Sequence, residues 1–98
     1  MKILCITPIT ESMMENLSSK GSVDYHPKAD RALLKSLLTR EDYDVVFTNP
    51  NKQNFMLDKQ VLHGSEISVI CTASTGLNHI DMQYCKENDI KLLSIHLL

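Results

Sequence analysis

The sequence predicts an α/β fold, a flavodoxin-like three-layer sandwich with a five-stranded parallel sheet in the order 2-1-3-4-5. Three observations carry this expectation. Short, nearly continuous apolar runs alternate with stretches of helical periodicity, the pattern of strands covered on both faces. Five such runs fit into 98 residues, enough for one domain with a small core. Right-handed crossovers then leave few ways to order the strands.

The first run, residues 2–7, carries Ile3, Leu4 and Ile6 and is closed by Pro8, which cannot continue a ladder. A short helix starts at Thr10 or Glu11, with Met13, Met14 and Leu17 on one side as packing residues. Gly21 breaks it, and residues 22–26 form a second strand around Val23 and Tyr25. Pro27 suits the first turn of the next helix, where its missing N–H costs nothing. Ala29, Leu33, Leu34, Leu37 and Leu38 recur there at helical spacing, which leaves Lys28, Asp30, Arg31 and Lys35 facing water. Residues 39–44 read as a polar connection. The third strand, residues 44–48, is followed at once by the turn signal Asn49-Pro50-Asn51-Lys52. Residues 55–62 form a short helix or an ordered loop, closed by His63-Gly64-Ser65. Residues 67–72, with Val69, Ile70 and Cys71 consecutive, make the best central strand. A helix over residues 81–87 follows, opened by Asp81 as cap or dipole partner, with Ile80, Tyr84 and Cys85 turned inward. Residues 90–95 are the last strand.

Composition excludes several classes of function. Ten basic residues against twelve acidic ones leave a net charge of −2, and the basic residues are scattered, so no phosphate-backbone footprint forms. With no Trp, two Phe and three Tyr, there is no aromatic platform for bases either. No stretch approaches the roughly 20 apolar residues that span a bilayer, and the start, Met1-Lys2-Ile3-Leu4, is too short and strand-like for a signal peptide. Cys5, Cys71 and Cys85 are odd in number and lack CxxC spacing, so they read as free, buried thiols in a reducing cytoplasm. His26, His63, His79 and His96 show no metal-ligand spacing. The expectation is a cytoplasmic protein without nucleic-acid, membrane or metal partners.

Ligands of open parallel sheets bind beyond the carboxyl ends of the strands. Three loops project from that edge, residues 8–11, 49–53 and 73–79. In the third, Gly76 allows close backbone approach and positive φ, successive amides can form an anion nest, and Ser74 and Thr75 offer hydroxyls. The same Ser-Thr-Gly also reads as a plain tight turn between strand and helix. Asn49, Asn51 and Lys52 are candidates for specificity contacts from the neighbouring loop, although Lys52 also reads as an ordinary solvated lysine. No Walker or G-x-G-x-x-G pattern is present, and Cys5-Ile6-Thr7-Pro8-Ile9 has no phosphate-cradling glycine, so neither ATP nor NAD is expected to bind this chain by the usual route. His79 reads as a structural histidine beside the anion loop. No Ser/His/Asp or Cys/His set forms.

Val69-Ile70-Cys71-Thr72-Ala73-Ser74-Thr75-Gly76-Leu77-Asn78-His79-Ile80-Asp81 resembles the N-terminal segment of the D-isomer-specific 2-hydroxyacid dehydrogenases. In both, a strand runs into a small-residue turn with Gly, and Ile-Asp opens a helix. Ile90-Lys91-Leu92-Leu93-Ser94 resembles the strand that follows, and residues 44–50 and 57–62 fit the preceding elements. Residues 1–40 fit in layout more than in motif. The resemblance implies a substrate domain in which amides of the loop matching Thr75-Gly76 hold the substrate carboxylate, and the loop matching Asn49 to Lys52 borders the same cleft. It also implies that the nucleotide fingerprint and the catalytic Arg, Glu and His come later in the family's chain, with no counterparts here. After Ser94 the sequence departs from the pattern, since Ile95-His96-Leu97-Leu98 stands where a polar hinge and a long helix follow in the family.

The expectation is one substrate-side domain over residues 1–98, truncated relative to an NAD-dependent 2-hydroxyacid dehydrogenase-like oxidoreductase. It binds a small 2-hydroxy or 2-oxo acid through Ser74, Thr75, Gly76, Asn49, Asn51 and Lys52. It supplies no catalytic residue and no cofactor site, is inactive alone, and pairs with a second copy or a separate coenzyme domain. The rival expectation is a non-enzymatic module that self-associates or binds small carboxylates, or a non-functional remnant.

Overall fold

The computed structural model describes residues 1–49, 55–73 and 77–94. Among the described residues nine elements alternate: β1 (Lys2–Cys5), α1 (Glu11–Ser18), β2 (Ser22–Tyr25), α2 (Arg31–Arg40), β3 (Val45–Thr48), α3 (Lys59–Leu62), β4 (Val69–Thr72), α4 (Met82–Glu87) and β5 (Lys91–Ser94). Every strand pairing is parallel, and the sheet order is β2-β1-β3-β4-β5, the order expected from the sequence.

The helices start where short polar side chains cap them. Thr10, Asp30, Asp58 and Asp81 accept hydrogen bonds from the backbone N–H of Met13, Leu33, Val61 and Tyr84, each three residues on. This corrects the expected start of α2. Pro27 lies in a turn closed by Ala29 N–H donating to the His26 carbonyl at 3.1 Å, and the helix begins after the Asp30 cap. Its end is corrected too, because Thr39 and Arg40 are helical rather than part of a polar connection. Buried Leu37 and Leu38 hold that last turn, and the Thr39 hydroxyl bonds back to the Lys35 carbonyl at 2.7 Å. Within residues 55–62 only α3 is helical, and Gly64, at φ +82°, ends the turn that follows it.

The sheet is covered unequally. On one face Leu4, Val46 and Ile70 pack beneath α2, α3 and α4. On the other, Ile3, Cys5, Val45 and Phe47 pack beneath Leu17 and Met13 of α1, the one helix on that side among the described residues. All four residues of β3 are therefore buried, whereas β4 alternates between half-buried and buried positions. Beside α1 a groove of about 300 Å³ opens over β4 and β5, floored by Val69, Cys71 and Leu93. None of the described helices is long and apolar enough to cross a membrane.

At the amino edge of the sheet a polar cluster ties β1, β2 and the α2–β3 link together. The hydroxyl of buried Tyr43 lies 2.5 Å from Asp24 Oδ2 and 3.0 Å from Glu41 Oε2. Lys2 Nζ bonds Glu41 at 3.0 Å and sits 4.9 Å from the Tyr43 ring centroid. Burial and the two carboxylates push the Tyr43 pKa far above its ordinary value, so the phenol stays a donor at neutral pH.

Candidate functional site

Hydroxyl side chains line the carboxyl edge of the sheet. Thr48, Thr72 and Ser94 close β3, β4 and β5 in matching register. Thr48, Thr72 and Thr7, which follows β1, are buried. Thr72 Oγ1 lies 3.4 Å from Nε2 of buried His79. Among the described residues, the buried atoms His79 Nδ1 and Thr7 Oγ1 find no hydrogen-bond partner. An unpaired buried polar atom costs about 1–3 kcal/mol, and both of these lie at the edge where such folds place their ligands.

A backbone frame holds the loop of residues 73–79 at its two ends. Ala73 N–H donates to the Thr48 carbonyl at 2.9 Å. At the far end, Leu57 N–H donates to the His79 carbonyl at 2.7 Å, and Asp81 N–H donates to the Leu57 carbonyl at 2.9 Å. These two bonds form an isolated parallel bridge between Leu57 and Ile80. The Leu57 side chain is fully buried in the larger core. Arg31 braces the same segment, with Nη1 donating to the Met56 carbonyl at 3.0 Å and Nη2 contacting Asp58 at 2.9 and 3.1 Å and Gln60 at 2.8 Å.

Of the residues the sequence nominates, Asn49 is half-buried immediately after β3. Asn51, Lys52, Ser74, Thr75 and Gly76 lie outside the described residues. The buried His79 ring lies against Thr72, and its backbone carbonyl accepts from Leu57 N–H. Asp81 caps α4 through Tyr84 N–H at 3.0 Å. Arg31, expected to face water, is partly exposed and also braces residues 56–60. The sequence carried no signal for this brace or for the role of Leu57, because both act across gaps that no periodicity spans.

Among the described residues no cluster of three His, Cys, Asp or Glu could hold a metal. Nor does the first strand-to-helix turn fit a dinucleotide pyrophosphate, which needs free N–H groups and close backbone approach. Pro8 lacks an N–H, no glycine lies between β1 and α1, and the Thr10 side chain already takes Met13 N–H at 3.2 Å.

Burial lowers the His79 pKa from its ordinary value of 6.5, so the fold favours the neutral ring. The stability this provides is full above about pH 6.5 and is lost as pH falls toward the lowered folded value, because the unfolded chain binds the extra proton. Urea unfolding at about pH 7.5 and 5.5 checks this. Stability is expected to fall at the lower pH, and less so in His79→Asn. An equal fall in both proteins would refute the assignment to His79.

Comparison with known proteins fits this geometry. The family model described as D-isomer specific 2-hydroxyacid dehydrogenase, catalytic domain, matches residues 3–96. A crystal structure of a protein from Pyrococcus horikoshii OT3 superposes with a TM-score of 0.84 at 20% identity, covering 96% of this chain and 27% of that one. An NAD-dependent formate dehydrogenase from Staphylococcus aureus, in complex with NAD, gives a TM-score of 0.74 at 18% identity, covering 98% and 31%. A D-lactate dehydrogenase from Aquifex aeolicus, complexed with NAD and lactic acid, gives 0.67 at 20% identity, covering 97% and 28%. At these identities the likeness establishes the fold, and the chain spans less than a third of each of these proteins. No curated protein matches the sequence.

Proposed function

The chain belongs to the family of D-isomer specific 2-hydroxyacid dehydrogenase catalytic domains, and from that premise we propose that it is the substrate-binding domain of an NAD-dependent oxidoreductase of 2-hydroxy acids. The observation that supports this best is how the ends of the loop of residues 73–79 are held, Ala73 to Thr48 at the carboxyl edge of the sheet and His79 to Leu57 beyond it. Holding the two ends of a loop lowers the entropy lost when it closes on an anion. Thr75, Gly76 and Ser74 then anchor the substrate carboxylate, and Asn49, Asn51 and Lys52 border the cleft. The ligand class is a small 2-hydroxy or 2-oxo acid, in line with the lactic acid bound by the Aquifex aeolicus enzyme.

In this reading residues 1–98 form one substrate-side domain, and coenzyme chemistry belongs to a partner domain. Alone, the chain binds acid weakly and transfers no hydride. NMR titration with pyruvate is expected to shift the Thr75 and Gly76 amides, and a folded Gly76→Val variant is expected to lose the response. Unmoved amides at millimolar pyruvate would remove the carboxylate anchor. Turnover of 2-oxo acids with NADH by the pure chain would refute inactivity alone. Three free cysteines favour a reducing, cytoplasmic setting.

A second reading, a self-associating module, is favoured by the apolar groove over β4 and β5, where Leu93 is 41% exposed. Sedimentation across a concentration series is expected to show a dimer that Leu93→Glu dissociates. A strict monomer at every concentration would count against it.

A further inference from the structure

We propose that Arg31 is a positioning residue for the acid-binding edge, setting the placement of the Leu57–Ile80 bridge on which the loop of residues 73–79 ends. The bridge belongs to no sheet, so ladder bonds do not hold it. Leu57 uses both of its backbone groups across the gap, toward His79 and Asp81. Arg31 grips the residues on either side of Leu57, the Met56 carbonyl and the Asp58 carboxylate, and reaches Gln60 as well. The planar guanidinium fork matches this spread of acceptors, which an ammonium group does not.

Geometry matters more than charge here. The side chains of Arg31 and Asp58 are 36% and 28% exposed, so Coulomb attraction between them is partly screened. Arg31 also stands at the first position of α2, where the helix dipole disfavours a cation. Its placement is therefore held by the contacts to residues 56–60. Asp58 caps α3 independently, through Val61 N–H at 3.4 Å, so loss of the Arg31 contacts leaves α3 in place and acts locally. The effect of Arg31 on ligand affinity rests on the carboxylate-anchor reading, while its effect on loop placement does not.

Amide hydrogen exchange and pyruvate titration of the 98-residue chain test both parts. In Arg31→Met the Leu57 and Asp81 amides are expected to exchange about tenfold faster, while the Leu4 and Val46 amides in the central strands keep their rates. Arg31→Lys, which preserves the charge, is expected to behave like Arg31→Met. Asp58→Asn, which keeps a capping side chain, is expected to reproduce the local effect and serves if an Arg31 variant fails to fold. Tyr43→Phe, a destabilising change at the opposite edge, is expected to leave the Leu57 and Asp81 rates alone. Pyruvate affinity should fall about tenfold in Arg31→Met, in step with the faster local opening. Wild-type exchange at Leu57 and Asp81 in the Arg31 variants would overturn the proposal. Faster exchange with unchanged pyruvate affinity would overturn the link to binding and spare the carboxylate anchor. Faster exchange in a chain whose wild type ignores pyruvate would discard the anchor and support Arg31 as the brace of the bridge.

Discussion

Gly21→Ala is expected to lower the unfolding free energy by about 3 kcal/mol, because the site is already filled by main chain. A Cβ on Gly21 would collide with the Met1 carbonyl oxygen, a backbone atom rather than the end of a flexible side chain. The same oxygen accepts Ser22 N–H at 2.9 Å, and Ser22 is paired with Lys2 where β1 and β2 begin. Relief of the clash therefore separates the two strands at their start. Domains of this size hold about 5–15 kcal/mol in all, so the loss is a large share. Gly64→Ala provides the contrast. Nothing lies within 4 Å of a Cβ there, and the cost is that of φ +82° alone, about 1–2 kcal/mol. Urea midpoints of the two variants measure the difference, and a Gly21→Ala midpoint equal to that of the native chain would refute the crowding.

Leu57→Ala is expected to cost about 3 kcal/mol in stability and to abolish the response to acid. The side chain is fully buried in the core beneath α2, α3 and α4, so truncation leaves a cavity. The same residue carries the hydrogen bonds to His79 and Asp81, so a shift of its backbone into the cavity displaces the end of the 73–79 loop. Leu62→Ala separates the two effects. Leu62 is 2% exposed in the same core but makes no bond to residues 79–81. The two variants are expected to unfold at similar urea concentrations, with pyruvate-induced shifts lost in Leu57→Ala and retained in Leu62→Ala. Equal pyruvate responses in the two would show that Leu57 acts through stability alone.

The sheet order was legible because each apolar run is short, separate and followed by a helical period of plausible length. Helix starts were legible at Thr10 and Asp81, where a capping side chain precedes the periodic residues. At α2 two signals competed. Pro27 suits a first helical turn and an ordinary turn alike, while Asp30 has the geometry to cap Leu33, and the hydrogen bond decides between them. The loop of residues 73–79 stood out in the sequence as a motif, since Gly and small hydroxyl residues follow an apolar strand. Its support did not, because Arg31 meets Asp58 across 27 positions of sequence and Leu57 meets Ile80 across a gap that no periodicity spans.

The unequal cover of the sheet also sets where this sequence is free to drift. Along β3 both faces are closed, and a polar replacement at Val45, Val46 or Phe47 strands an unsolvated group. Along β4 permission alternates. Ile70 is fully enclosed, while Val69 and Cys71 face the groove and can exchange for other β-formers with little loss. Two neighbouring strands of one sheet should thus accumulate substitutions at different rates, and the difference should follow the period of the strand itself.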